Sequence, residues 1–474
     1  MERALRSLLW LLTILLALKL RLTVVTEFQA PAGDGIQYYQ LSQVLKSEHR
    51  FSYQPAPSPP TWTRLPGYPL FLALTQPARP LTLREHLIAA TRLNALLDVG
   101  TALLIAALSA QLGMGALAQL LGFWAVIFMP TLLMLSAFGL CESLVTFLLT
   151  LAVYLALLGK SLRPPWRWVT VAGCGMVVGL AQLVRVDTVL VLPALLMLLV
   201  LTTDSWRGRV QNCLLCLGLA ALVFAPWPLR NLRLFGAAHV GGSPWIDAAG
   251  VPLRLGMMRW YQTWATGRKD GEGFDLFLVA RHSPLPPARP NVITPVMFED
   301  AREQQELAAL FEQYCHEGLS PAVDKKFYSL AWKRLKRHPF RVLVELPLVR
   351  LRTLWSPMPD YELSITSTLL RLPKERKSWD RLGSLLLLLS VAGACFALSE
   401  PTKRRWVLAL LLVPVARSVG FAYLHPIPLQ RYFVEAIPVL MLFSGYALAW
   451  PVSRLSALLS RGRGVRSGAS EPSL

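Results

Sequence analysis

Long apolar windows separated by short basic loops are the feature that most constrains how this chain folds. A helix needs about 20 mostly apolar residues to cross roughly 30 Å of hydrocarbon. With 54% hydrophobic and 16% charged residues, the chain of 474 has more apolar material than one soluble core of that size needs. The windows are Leu8–Thr26, Leu87–Leu112, Ala116–Phe138, Leu144–Leu158, Trp168–Leu183, Val189–Leu201, Cys213–Trp227, Leu385–Leu398, Trp406–Tyr423 and Val434–Trp450.

These windows predict an all-α membrane protein. We expect a polytopic helix bundle of about 10, and at most about 12, transmembrane helices, whose extracytoplasmic loops bear short amphipathic helices. The run Leu8–Leu18 also has the length of a signal-peptide core, and we expect it to remain as the first span.

Basic clusters predict the orientation of the bundle. They precede the first window, occupy several short loops and fill the tail, and by the positive-inside rule they are cytoplasmic. Pro339–Trp355 is apolar but charged in places, and a lone crossing there would move the Lys403–Arg405 cluster outside. We therefore expect it to be an amphipathic helix at the outer interface, with a re-entrant pair as the alternative. The predicted segments are the first span (1–26), the first outer loop (27–86), spans two to seven (87–227), an outer loop or lid (228–380), the C-terminal spans (381–450) and a basic cytoplasmic tail (451–474).

The net charge of +20 raises the question of a nucleic-acid partner. Lys and Arg are spread through loops and tail, with no DNA- or RNA-binding module around them. Anionic headgroups attract such residues by about 1 kcal/mol each near a membrane surface. We therefore predict membrane lipids as partners and no nucleic acid.

Four short motifs lie at the predicted outer ends of the spans. Each alone is a weak signal, and three have ordinary structural explanations: a turn or helix cap for the first, headgroup contact for the second, and an aromatic-belt anchor with a basic flank for the third. The motifs are Asp34-Gly-Ile-Gln-Tyr38, Arg64-Leu-Pro-Gly-Tyr-Pro, Pro226-Trp-Pro-Leu-Arg230-Asn231 and Gln430-Arg431-Tyr432.

Several polar side chains fall inside or beside the apolar windows, where an unpartnered polar group costs several kcal/mol. For Asp98 and for Arg185 with Asp187, structural pairing inside the bundle is the favoured interpretation, whereas for Glu142 structure and function are equally supported. The full set is Thr91, Asn94, Asp98, Glu142, Arg185 and Asp187.

In combination, the four outer motifs resemble the GT-C superfamily of membrane glycosyltransferases, specifically the bacterial relatives of protein O-mannosyltransferases and lipid A aminoarabinose transferases. The order and spacing of the motifs extend over residues 1 to about 450. Two departures limit what carries over. Many relatives have a second acid where this chain has Gly35, and the aminoarabinose transferases have Lys and a basic residue where this chain has Arg64 and Gln37.

The resemblance implies a helix bundle that takes a sugar from an isoprenoid-phosphate carrier on its outer face and passes it to a glycan, lipid or protein acceptor, with inversion. A polyprenyl phosphate leaves as a stable anion, so one carboxylate suffices as base and cations must meet the developing negative charge. We predict Asp34 as the base, Arg64, Arg230, Arg431 and Tyr432 as the donor-binding residues, and Glu142, Tyr38, Trp62, Tyr68 and Asn231 as supporting residues.

The donor class follows from the absence of other motifs in the sequence. The sequence contains no Asp-x-Asp pair, metal-spaced His cluster, Walker loop or Gly-rich nucleotide fingerprint. We expect a lipid-linked donor at the inner membrane, no cofactor and no metal, although Asp34 and Glu142 together offer ligands that a cation could share. Two alternatives remain open at this point: a transporter or flippase of lipid-linked saccharides, and a non-catalytic subunit of envelope assembly.

Overall fold

The structure is a computed structural model, and it describes residues 2–27, 33–163, 165–236, 238, 240, 255–266, 293–317, 320–356, 373–426 and 429–467. Throughout these ranges the regular secondary structure is helical. The α-helices, in chain order, are α1 (Glu2–Glu27), α2 (Gly33–Glu48), α3 (Gly67–Thr75), α4 (Leu83–Gln111), α5 (Ala116–Phe128), α6 (Pro130–Ser136), α7 (Glu142–Leu158), α8 (Trp166–Val184), α9 (Leu192–Leu201), α10 (Trp206–Phe224), α11 (Pro226–Phe235), α12 (Leu255–Gln262), α13 (Ala301–Glu317), α14 (Pro321–Arg337), α15 (Leu346–Leu354), α16 (Pro373–Leu398), α17 (Pro401–Leu424) and α18 (Ile437–Ser467).

Eight helices of the described ranges are long and apolar enough to cross a membrane. Helices α5 and α6 meet at a bend of 54° and make a ninth span if they cross together. The bend falls at Pro130, because proline lacks an N–H and its ring prevents a continuous helix. Val186–Leu201 is apolar but shorter than the about 20 residues that a crossing needs. The all-α polytopic fold is confirmed, whereas the predicted count of ten or more full spans is not.

Close packing in the bundle depends on glycines between α5, α16 and α18. A Cβ at Gly393 of α16 would overlap the carbonyl oxygen of Phe443, and one at Gly445 of α18 would overlap the backbone of Gly122 in α5. Such small residues let helix backbones approach closely in a membrane, where lipid gives little hydrophobic drive for association. The part of α18 around Phe443 and Gly445 is thereby packed closely against α16 and α5.

The polar side chains Asn94 and Asp98 of α4 have structural partners inside the bundle. Arg21 of α1, which is fully buried, pairs with Asp98 at 3.2 Å and donates to the carbonyl oxygen of Val126 at 3.0 Å. Asn94 donates to the carbonyl oxygen of Leu140 at 3.2 Å. The predicted internal pairing of Asp98 is confirmed, and Asn94 fixes the turn that leads into α7.

Helices α12, α13 and α14, here called the lid, share a hydrophobic core. The rings of Trp260 and Phe327 lie 5.2 Å apart, and those of Trp260 and Phe311 lie 6.0 Å apart. A buried ion pair between Arg334 and Glu303, at 2.7 Å, joins α14 to α13. Helices α13 and α14 both fall within residues 228–380, the segment for which the sequence predicts an outer loop or lid.

The segment Pro339–Trp355 forms a π-helical turn, Arg341–Glu345, followed by α15, and it packs against α17. It is not among the candidate spans of the described residues. Its placement at the outer interface remains a prediction.

The predicted orientation can be tested by cysteine labelling in a cysteine-free background. A cysteine in place of Arg302, whose side chain is 89% exposed on the lid, should react with a membrane-impermeant thiol reagent in intact cells. A cysteine near residue 465 should react only after permeabilisation, because the basic tail is expected inside. Reversed labelling would place Asp34 on the cytoplasmic side and exclude the proposed reaction.

Candidate active site

Asp34 lies in the first turn of α2 and contacts two of the predicted arginines. Its Oδ1 is 2.6 Å from Nη2 of Arg64, which precedes α3, and its Oδ2 is 3.2 Å from Nη2 of Arg431, which precedes α18. Gln37, one helical turn after Asp34, accepts from Nε of Arg64 at 2.6 Å. Three chain segments that are far apart in the sequence therefore meet at one carboxylate.

Glu142 begins α7 and extends this arrangement. Its Oε1 lies 4.0 Å from Nη1 of Arg431 and 3.4 Å from Nη1 of Arg185. The guanidinium of Arg431 therefore stands between Asp34 and Glu142, where a shared cation would otherwise lie. Among the described residues, no group of three or more His, Cys, Asp or Glu side chains is placed to hold a metal ion.

Behind Glu142 lies a second layer of charges. Arg185 pairs with Asp187 at 2.7 Å and with Glu435 at 3.3 Å. Arg417 of α17, fully buried, contacts Glu435 at 2.7 Å and Asp187 at 3.4 Å, and its Nε donates to the carbonyl oxygen of Tyr432 at 3.1 Å. The predicted pairing of Arg185 with Asp187 is confirmed, and Arg417 fixes the backbone next to Arg431.

Sequence reasoning missed Arg417 and Glu435. Both carry a charge within predicted apolar windows, Trp406–Tyr423 and Val434–Trp450, which is the signal that identified Asp98. Applied to every window, the same criterion would have found them.

An open cavity of about 360 Å³ connects these groups. Its lining combines charged side chains with aromatic and apolar ones, as in pockets where a few polar groups fix a ligand within an apolar lining. The lining residues are Asp34, Tyr38, Arg64, Leu65, Leu140, Cys141, Glu142, Val184, Arg185, Val186, Asp187, Met258, Phe421, His425, Arg431 and Tyr432.

The charges at the cavity are stabilised mutually. Burial raises the pKa of Asp34, but attraction from Arg431 and Arg64 outweighs it, so the net pKa lies below the ordinary value. Burial lowers the pKa of Arg64, but the charge of Asp34 outweighs that effect and the net pKa is raised. Without a donor, Asp34 is therefore a carboxylate and a weak base.

The predicted aromatic residues take different positions. Tyr38 and Tyr432 line the cavity, and the guanidinium of Arg185 lies over the ring of Tyr432 at 5.1 Å. Tyr68 packs edge-to-face on Tyr38 at 5.0 Å, and its hydroxyl donates to Oδ1 of Asn94 at 3.4 Å. Tyr68 therefore supports Tyr38 from behind.

Arg230 and Asn231 are not among the cavity-lining residues of the described part of the chain. Nη1 of Arg230 donates to the carbonyl oxygen of Thr61 at 3.1 Å and to Oδ1 of Asn231 at 2.8 Å, and the guanidinium lies 5.0 Å from the ring of Trp227. Trp62 is buried in the same hydrophobic cluster as Trp227. The structure brings these residues to the segment that carries Arg64, not to Asp34. The donor-binding role of Arg230 and the supporting roles of Trp62 and Asn231 remain predictions.

No protein-family model and no curated protein matches the chain. Among solved structures, the apo oligosaccharyltransferase of Archaeoglobus fulgidus matches with a TM-score of 0.52 and 16% identity, over 98% of this chain and 52% of that one. Its complex with Zn and sulfate gives a TM-score of 0.50 and 13% identity, over 96% of this chain and 51% of that one. ArnT of Cupriavidus metallidurans bound to undecaprenyl phosphate gives a TM-score of 0.41 and 13% identity, over 94% of this chain and 78% of that one.

The chain thus spans about half the length of the archaeal enzyme that it matches. At such low identities the likeness concerns the fold, and it agrees with the resemblance that the four outer motifs indicate. The chain shares its polytopic helical fold with the part of the archaeal oligosaccharyltransferase that it matches.

Proposed function

We propose that this chain is an inverting glycosyltransferase that moves a sugar from a polyprenyl-phosphate donor to a glycan, lipid or protein acceptor on the extracytoplasmic face of the inner membrane. The observation that carries the proposal is the carboxylate of Asp34, which is held between Arg64 and Arg431 at an open cavity. The fold of an archaeal oligosaccharyltransferase supports the same class of reaction.

The proposed reaction is one displacement. The acceptor oxygen bonds to the anomeric carbon as the bond from that carbon to the phosphate oxygen breaks, which inverts the configuration. The acceptor proton passes to Asp34, and the electron pair leaves with the polyprenyl phosphate. Because that anion is stable, no general acid is required, in contrast to glycosidases that expel an alkoxide.

The arginine contacts of Asp34 suggest how the base is activated. Arg64 and Arg431 line the cavity and contact Asp34 directly. Their forked guanidinium groups are also well suited to donate hydrogen bonds to phosphate oxygens. When a donor phosphate takes over these contacts, the attraction that lowers the pKa of Asp34 weakens while the effect of burial persists. Donor binding thus makes Asp34 a stronger base when an acceptor needs one.

Glu142 and the layer of charges behind it hold Arg431 and Arg185 in place. Glu142 faces both Arg431 and Arg185, and Arg417 fixes the carbonyl oxygen of Tyr432. Positioned cations stabilise developing negative charge without reorganising during the reaction. We assign Glu142 and Arg417 to positioning, and we propose that the reaction uses neither a metal nor a cofactor.

The proposal can be tested with purified protein in liposomes that contain a sugar-loaded polyprenyl phosphate. We expect release of free polyprenyl phosphate, with appearance of a glycosylated acceptor by mass spectrometry when the correct acceptor is in the panel. A flippase would move the intact donor between leaflets and release no carrier. Flipping without release across the full acceptor panel would favour the transporter over the enzyme.

A further inference from the structure

A second cavity, of about 280 Å³, lies between the lid and the membrane-spanning bundle. Arg259 of α12 and Arg350 of α15 line it together with Tyr328 and Trp332 of α14 and Tyr423 of α17. Met258, the residue before Arg259, lines the Asp34 cavity instead. The two cavities therefore lie on different sides of α12.

Among the described residues, the positive charge of this second cavity has no acidic counterpart. Arg350 is 2% exposed and donates to the carbonyl oxygens of Gln262, Ala265 and Ala422, but the described residues offer it no carboxylate partner. Burial lowers the pKa of Arg350 to about 10. Arg259, which bonds to Oε1 of Gln262 at 3.1 Å, likewise has no acidic partner among the described residues. No acidic side chain is among the described residues that line the cavity.

The cavity lies at the end of a lipid-facing surface. Leu408, Val415, Val419 and Tyr423 are exposed along one face of α17, a helix long and apolar enough to span the membrane. At its outer end, the hydroxyl of Tyr423 donates to the carbonyl oxygen of Leu343 at 2.8 Å.

Beyond Tyr423, the exposed side chains of Leu343, Leu348 and Val349 continue this apolar surface. Tyr328 and Trp332, each about half exposed, have the character of residues at a membrane–water interface. Exposed aromatic residues at the end of an apolar surface are typical of the level at which lipid phosphates lie.

We propose that this cavity binds the phosphate headgroup of an anionic phospholipid. The headgroup supplies the negative charge that no described residue provides to Arg259 and Arg350, while the acyl chains lie on the apolar face that ends at Tyr423. Because Arg350 also joins the end of α12 to the end of α17, the bound lipid steadies α12, and with it Met258, over the Asp34 cavity. The site does not depend on the transfer reaction, so either proposal can fail alone.

Arg259→Gln is the informative variant, because Arg259 is exposed whereas Arg350 also holds three backbone carbonyl oxygens. Native mass spectrometry of the purified full chain, titrated with phosphatidylglycerol or phosphatidylcholine, measures both affinities. We expect wild type to prefer phosphatidylglycerol. Arg259→Gln should lower that affinity about fivefold, the effect of one basic residue at an anionic surface, and leave phosphatidylcholine binding unchanged.

Arg302→Gln is the matched control, because it removes an equally charged side chain that is 89% exposed elsewhere on the lid. It should bind phosphatidylglycerol as wild type does. Equal phosphatidylglycerol affinity in wild type and Arg259→Gln would overturn the site, as would an equal loss in the control. Displacement of phosphatidylglycerol by polyprenyl phosphate in wild type but not in Arg259→Gln would assign the cavity to the donor and also overturn the proposal.

Discussion

Asp34→Asn should slow the release of polyprenyl phosphate by about 10²–10⁴-fold, the usual contribution of a positioned general base. The amide keeps the shape of the side chain but cannot take the acceptor proton. Donor binding should persist or tighten, because Arg64 and Arg431 lose the carboxylate that they contact without a donor. Measured on the same liposome preparation, turnover should therefore fall while donor affinity stays the same or rises.

The pH dependence of the wild-type enzyme gives a second signature of Asp34. The pKa of Asp34 lies below its ordinary value without a donor, because attraction from Arg431 and Arg64 outweighs burial. The acid limb of kcat/KM, which reports the free enzyme, should therefore fall below the ordinary range of an aspartate. The acid limb of kcat reports the donor complex and should lie at higher pH, since the arginines then contact phosphate. Asp34→Asn should abolish both limbs.

Asp300→Asn serves as the control for this prediction. Asp300 is an exposed aspartate of the lid segment that pairs with Arg337 at 3.1 Å, and its variant should match wild type in rate and pH profile. A wild-type rate in Asp34→Asn would show that another group accepts the proton. A rate loss with unchanged pH limbs would indicate that Asp34 only positions the arginines.

The fold was predictable because it depends mainly on apolar windows, each of which is recognised within one continuous stretch of sequence. Each of the ten apolar windows falls on an apolar helix or helix pair of the structure, since hydrocarbon requires both an apolar surface and internal backbone hydrogen bonds. The number of full spans was less predictable. It depends on the break at Pro130 and on the short helix at Val186–Leu201, where neighbouring helices decide whether a segment crosses.

The candidate site was predictable in part. Asp34, Arg64, Glu142 and Arg431 were identified from outer motifs and in-span charges, and the structure brings them together. The position of Arg230 was not predictable, because its motif does not indicate which carbonyl or ring its guanidinium contacts. Only tertiary packing shows that it faces Thr61 and Trp227.

Arg64→Ala should lower turnover by about 10²–10³-fold, the cost of removing one positioned group that stabilises developing charge. Arg64→Lys should recover only part of this loss, because an ammonium cannot fork across two phosphate oxygens. Both variants should keep wild-type expression and thermal stability, since Arg64 is partly exposed and Asp34 retains Arg431. Wild-type turnover in both would reassign Arg64 to contact with lipid headgroups.

The same pair of substitutions at Arg230 separates a donor contact from a structural one. If Arg230 acts only by holding the carbonyl oxygen of Thr61, three residues before Arg64, then Arg230→Ala misplaces Arg64 and costs less than Arg64→Ala. Lysine also donates to a single carbonyl oxygen, so Arg230→Lys should restore turnover, although Arg64→Lys does not. If Arg230 instead contacts the donor, Arg230→Lys should lose turnover as Arg64→Lys does, because both lysine variants would then lack the forked contact with phosphate. Equal losses in Arg230→Lys and Arg64→Lys, with unchanged thermal stability, would show that Arg230 reaches the donor when it is bound.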